Sequence, residues 1–125
     1  MTIPADLLYT KEHEWVRMEN DVATIGITDY AQSELGDIVY VELPAVDSET
    51  VQMNAFGTIE AVKTVSDLFA PLTGKVIAVN SKLSEQPELI NTDCYGEGWM
   101  IKIKIANPQE IKQLLSPKDY EAMLT

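Results

Sequence analysis

Apolar and polar residues alternate along this chain in short runs broken by turn residues, the pattern of an antiparallel β protein. Residues 3–10 lead into a first edge strand. Residues 14–19 and 22–27 read as two strands joined at Asn20-Asp21, a polar pair suited to a hairpin turn. Thr28 then has the character of a helix N-cap, with Asp29 favourably placed in the first turn. The short helix runs through Tyr30, Ala31 and Leu35 to Gly36, which can take the left-handed conformation that ends helices. Residues 37–43 alternate again. Their Val39, Val41 and Leu43 face is expected inward, with Ile38, Tyr40 and Glu42 on the other side and Pro44 as the stop. An acidic connection at 45–50 precedes two strand-like runs, 56–62 and 65–70, on either side of Lys63. Pro71 ends the second run, and Thr73-Gly74 turns the chain into a third at 75–80. Residues 81–91 are polar and irregular with a helical turn at 87–90, and 91–98, with two glycines, reads as a loop. The last strand is 99–106, where Ile101, Ile103 and Ile105 alternate with Met100, Lys102 and Lys104. Two short helices close the chain, 108–115 and 116–124. Ser116 caps the second, and Pro117 suits its first position.

Short strands with closely spaced turns and helices mostly at the end predict a mainly β fold, a sandwich or flattened barrel with helical additions. At 125 residues the chain is expected to form a single domain over 1–125, with a C-terminal helical segment at about 108–124. Apolar residues at 46% and charged residues at 23% describe an ordinary globular composition rather than a disordered one. No apolar run approaches the roughly 20 residues that span a bilayer. The first ten residues lack the layout of a secretory signal or transit peptide. A single cysteine, Cys94, fits a reducing compartment. A bacterial cytoplasmic protein is the expectation, with a monomer as the expected state.

Nine basic residues against 20 acidic ones leave a net charge of −11. Such a field repels nucleic-acid phosphates and anionic membranes, so neither is an expected partner, and it favours basic patches on proteins. Lys63 is the residue that stands out chemically. Its place near the tip of a predicted hairpin presents a long, mobile amine to solvent. Catalytic lysines are desolvated or set beside another cation, and the neighbours here, Glu60, Thr64 and Asp67, offer neither. That context suits a lysine modified by other enzymes rather than one that forms a Schiff base.

The residues around Lys63, E-A-V-K-T at 60–64 followed by A-P-L-T-G-K-V-I-A-V-N at 70–80, closely resemble the lipoyl-attachment hairpin of the glycine cleavage system H-protein family. The likeness extends in family order through Y-T-K-E-H-E-W-V-R (9–17), G-I-T-D-Y-A-Q-S-E-L-G-D-I-V-Y-V-E-L-P (26–44), P-E-L-I-N (87–91) and G-W-M-I-K-I-K (98–104), covering roughly residues 7–120. The resemblance implies a barrel-sandwich hybrid whose lysine hairpin projects from one sheet, with lipoic acid in amide linkage to Lys63. It implies a carrier with no catalytic residue of its own. Such a carrier takes the aminomethyl group of glycine from the pyridoxal-phosphate decarboxylase (P protein) to the tetrahydrofolate-dependent T protein. The L protein, dihydrolipoyl dehydrogenase, then reoxidises it with FAD and NAD, and lipoylating enzymes install the arm. The same resemblance places Glu14 and Asp67, with Glu12 nearby, in a cleft that shelters the loaded arm. Carboxylates can hold an ammonium by charge-assisted hydrogen bonds, and a dry cleft limits hydrolysis.

Two residues depart from the family pattern: Ala61 where serine is usual, a small-for-small change that puts little in doubt, and Cys94 where proline is commoner, which is expected to alter loop stiffness rather than chemistry. Biotinyl domains favour methionine on both sides of the lysine, where Val62 and Thr64 stand here. Lipoyl domains of 2-oxo acid dehydrogenases usually have Asp before it. An H-like protein serving mainly as a lipoyl donor or partner-binding module is the alternative of a different class, and an independent hydrolase or transferase lacks any nucleophile–base motif. His13, the only histidine, lies between Glu12 and Glu14. Consecutive strand residues point to alternate faces, so this trio is not expected to bind a metal, and His13 is expected to be a packing or surface hydrogen-bonding residue. Trp15 and Trp99 are expected in the core.

Overall fold

The computed structural model describes residues 1–124. Among the described residues nine strands form two antiparallel sheets: β1 Leu8–Tyr9, β2 Glu14–Glu19, β3 Val22–Ile27, β4 Ile38–Glu42, β5 Glu49–Thr50, β6 Ala55–Ala61, β7 Val65–Phe69, β8 Gly74–Val79 and β9 Ile101–Ile105. One sheet has the order β1-β2-β3-β9-β8-β5 and the other β4-β6-β7. Their inner faces share one core, to which Val16, Ile25, Val76 and Ile103 contribute from the first sheet and Val41, Ile59 and Leu68 from the second. This is the mainly β, two-sheet arrangement expected of a barrel-sandwich hybrid, with no closed barrel among the described residues.

The hairpin of β2 and β3 turns at Asn20, whose φ of 58° supplies the left-handed residue a tight turn needs. Helix α1, Asp29–Leu35, starts at Thr28, whose hydroxyl accepts from the Ala31 N–H, and ends at Gly36 with φ 81°. Seven residues are too few for a helix to persist alone, so Ala31 and Leu35 hold α1 by packing on the core. Residues 81–92 contain a 3-10 helix at Ser81–Ser84 and α2 at Leu89–Thr92, more helical than a single turn at 87–90. Residues 108–115 form a 3-10 helix only over Pro108–Gln113, because Leu115 leaves to pair its backbone with Tyr9 at 2.7 and 2.9 Å.

Helix α3, Pro117–Leu124, docks through Tyr120 into a second apolar cluster with Leu7, Tyr9 and Trp15. The Tyr120 ring stacks on Tyr9 with centroids 4.7 Å apart. Trp15 is fully buried and donates its indole N–H to the Cys94 carbonyl at 2.9 Å, whereas Trp99 is only half-buried.

Strand β4 corrects the alternation expected of residues 37–43. A bulge between Ile38 and Tyr40, where β4 pairs with β6, shifts the register. Ile38 and Val41 therefore both point inward, and Val39 is 46% exposed. A bulge puts an extra residue opposite one partner and reverses the facing of what precedes it. Ile38→Ala should accordingly cost about 3 kcal/mol and Val39→Ala under about 1 kcal/mol, measured by urea unfolding. Equal losses would show that the bulge does not set the facing.

Candidate functional site

Strands β6 and β7 end in a turn closed by the Ala61 N–H donating to the Thr64 carbonyl at 2.8 Å, and the Val62 N–H donates to Asp37 at 3.1 Å. Backbone bonds thus fix both shoulders of the turn while Lys63, at its tip, is exposed. Val62 and Val65 beside it are 71% and 63% exposed, an uncommon state for two valines on one hairpin. Lys63 borders a shallow recess with Leu35, Gly36 and Asp37.

Leu35 also lines a larger cleft, of about 290 Å³. One wall is the segment entering β2, with Glu12, His13 and Glu14. A second is α1, with Tyr30 and Glu34 four residues apart on one helical face. The third is the free edge of β7, with Ser66, Asp67 and Phe69. Glu12, Glu14 and Asp67 therefore share one cleft, and Lys63 stands outside it across Leu35.

Glu14 is the innermost acid, 2% exposed. The Thr10 hydroxyl donates to its Oε1 at 2.5 Å and the Phe69 N–H to its Oε2 at 3.2 Å. The second bond satisfies a backbone donor on the edge of β7 that would otherwise face the cleft. Burial outweighs both bonds and pushes the Glu14 pKa up to about 8. At neutral pH the side chain is thus mostly a neutral carboxylic acid. Asp67 is exposed at the rim, as is Glu12.

His13 departs from the expected alternation. It precedes β2 rather than lying in it, in a tight turn where its N–H donates to the Thr10 carbonyl at 3.1 Å. A φ of 71° swings its ring to the same side as Glu12 and Glu14. Its Nδ1 lies 2.7 Å from the Tyr120 hydroxyl, itself 2.8 Å from the Thr28 hydroxyl. Burial lowers the His13 pKa against the opposing pull of Glu12 and Glu34. Among the described residues no group of three metal-ligating side chains is assembled. Cys94 is buried elsewhere, and burial raises its thiol to about 12.

Tyr30, Glu34, Thr10 and Tyr120 were not expected at the site. The i, i+4 spacing of Tyr30 and Glu34 marks one helical face, a usable signal. Nothing local in the sequence points to Tyr120.

The sequence model of the family described as "Glycine cleavage H-protein" matches residues 7–125. Among curated proteins, the chain is 52% identical over 122 residues to the glycine cleavage system H protein of Carboxydothermus hydrogenoformans, covering 98% of this chain and 94% of that one. It is 51% identical over 124 residues to that of Staphylococcus epidermidis, covering 99% and 98%. Its fold is similar to the crystal structure of a glycine cleavage system H protein from Mycobacterium marinum, with a TM-score of 0.88, 34% identity and 98% of each chain covered.

Proposed function

The chain belongs to the glycine cleavage H-protein family, and we propose that it carries lipoate on Lys63 and serves as the shuttle between the P, T and L proteins of that system. The observation that carries this reading is the hairpin tip itself. Lys63 is exposed, no hydrogen bond or ion pair among the described residues engages its side chain, and the backbone beneath it is pinned. A modifying enzyme can reach such an amine without unfolding anything, and acylation removes a charge that nothing in the fold uses. When bound, lipoate supplies a disulfide that accepts the aminomethyl group of glycine and a dithiol that is afterwards reoxidised.

The chain's own residues supply shelter. In this reading a cationic amine brought to the cleft meets Asp67 and Glu12 at the rim and Glu14 inside. Glu14 gives up its proton as the cation enters, so the buried carboxyl exchanges one positive charge for another. Ile27, Ile59 and Leu68 close the floor and limit access of water to the cargo. The cleft beside the hairpin favours a glycine cleavage role over a lipoyl relay, which needs the lysine alone. Turnover belongs to the partner enzymes in this reading. None of the helices among the described residues is long and apolar enough to cross a membrane, and the relatives named above are bacterial, which supports a cytoplasmic location.

Intact mass spectrometry of protein from lipoate-fed cells, with peptide mapping, tests the reading. One lipoyl increment on Lys63 is expected. An unmodified Lys63, where a known lipoyl protein in the same cells is modified, would refute it.

A further inference from the structure

The cleft's histidine is connected to the far end of the chain. Tyr120 of α3 is fully buried, with its hydroxyl between the Thr28 hydroxyl and His13 Nδ1. The Thr28 oxygen also accepts from the Ala31 N–H, its duty as helix cap. Counting protons settles the direction of this chain. If His13 Nδ1 donated to Tyr120, the tyrosine would donate to Thr28. The buried Thr28 proton would then have no acceptor in reach among the described residues. In the opposite direction every proton is placed: Thr28 donates to Tyr120, and Tyr120 donates to Nδ1. An unmet buried hydroxyl costs about 1–3 kcal/mol, so the second direction prevails. The ring's remaining proton is then on Nε2. That atom has no partner among the described residues and is open to solvent, on a residue that lines the cleft.

We propose that Tyr120 is a positioning residue for the cleft's histidine: through the Thr28–Tyr120–His13 chain it holds the imidazole as the neutral Nε2–H tautomer, so that the cleft wall sets no positive charge beside the carried amine. The proposal rests on the carrier reading above. Protonating Nδ1 would reverse the chain and orphan the Thr28 hydroxyl, so the ring resists becoming a cation. An imidazolium there would repel a cationic cargo, whereas the neutral ring leaves attraction by Glu14 and Asp67 unopposed. The groups facing His13 are Glu12 and Glu14 beside it, Tyr30 and Glu34 from α1, Asp67 across the cleft and Tyr120 behind. Glu12 and Glu34 favour the imidazolium, so geometry must hold the ring neutral against them. Burial agrees, lowering His13 and raising the Tyr120 hydroxyl to about 12, so that Tyr120 keeps the proton it donates.

The single histidine makes the test direct. Long-range 1H–15N spectra of untagged, 15N-histidine-labelled protein should show one imidazole, as the Nε2–H tautomer at pH 7. In Tyr120→Phe the tautomers should mix and the titration midpoint should rise by about one pH unit, about a tenfold change in the ratio of the two charge states. Lipoylated Tyr120→Phe protein, charged from glycine with P protein, should lose its cargo about tenfold faster than wild type at pH 6 and nearly as slowly at pH 8. Wild-type protein with the proton on Nδ1, or an imidazolium at pH 7, would overturn the proposal without any variant. An unchanged tautomer in Tyr120→Phe would also overturn it, as would cargo loss accelerated equally at both pH values, the mark of a merely structural role. A wild-type chain that shows the Nε2–H tautomer yet never takes a lipoyl group would overturn the carrier reading and this role with it. Normal lipoylation with a flat pH response would remove only the role of Tyr120.

Discussion

Lys63→Arg should leave the fold intact and abolish the carrier. The side chain is exposed and makes no hydrogen bond or ion pair among the described residues. Exposed substitutions of this kind change stability by at most about 0.5 kcal/mol, which for a chain this size moves Tm by roughly 2 °C. Arginine keeps the positive charge and the reach, yet its guanidinium stays protonated and is no acceptor for an acyl group at neutral pH. Protein from lipoate-fed cells should therefore carry no increment. Glycine-dependent formation of NADH in a mixture with P, T and L proteins should fall to background. Undiminished turnover with the arginine variant would end the assignment of Lys63. A large fall in Tm would mean instead that the hairpin tip has a structural task that its exposure does not reveal.

Glu14→Gln should stabilise the protein at alkaline pH while impairing the cleft. The carboxyl has an unfolded pKa near 4.5 and a folded one of about 8, raised chiefly by burial. Below about pH 4.5 both states hold the proton, and Glu14 adds no pH dependence. Between the two values the unfolded chain ionises and the folded one does not, so stability falls as pH rises and levels off above about pH 8. The total is about 3–5 kcal/mol, and at 2% exposure little of it is screened. Glutamine has no proton to lose. The variant's stability relative to wild type should therefore climb by that amount between pH 4 and pH 9, measured by urea unfolding at each pH. Lipoylation should be unchanged, while the cargo on the lipoyl arm should be lost faster, because glutamine cannot exchange a proton for a cation. Asp67→Ala, at the exposed rim, should shorten the same lifetime less. A pH-independent stability difference between Gln and Glu at position 14 would mean that the carboxyl is already ionised in the folded protein.

Much of the fold was legible because its signals are local. Asn20 turns the β2–β3 hairpin, Thr28 and Gly36 bound α1, and Ser116 accepts from the Asp119 N–H at the start of α3. Each depends on residues within four positions along the chain. The misreadings have two causes, pairing with a distant segment and a local left-handed residue that breaks the alternation. Alternation alone turned Ile38 outward, whereas the bulge imposed by β6 turns it in. Alternation also separated His13 from its acidic neighbours, whereas the left-handed turn before β2 brings all three into one cleft.

The sequence by itself determined the strand order in the chain, the caps and the hairpin that carries Lys63 at an exposed tip, since turn chemistry and a short apolar run on each side suffice for that. Only the tertiary structure decided the condition of Glu14. A carboxyl's proton affinity follows the dielectric around it and the donors that reach it, and one of those donors is the Phe69 N–H, 55 residues away. It likewise decided the tautomer of His13, through a hydroxyl 107 residues along the chain. The first of these bonds exists only once the two sheets have packed together and the second only once α3 has docked, each excluding the water that would otherwise satisfy the same groups.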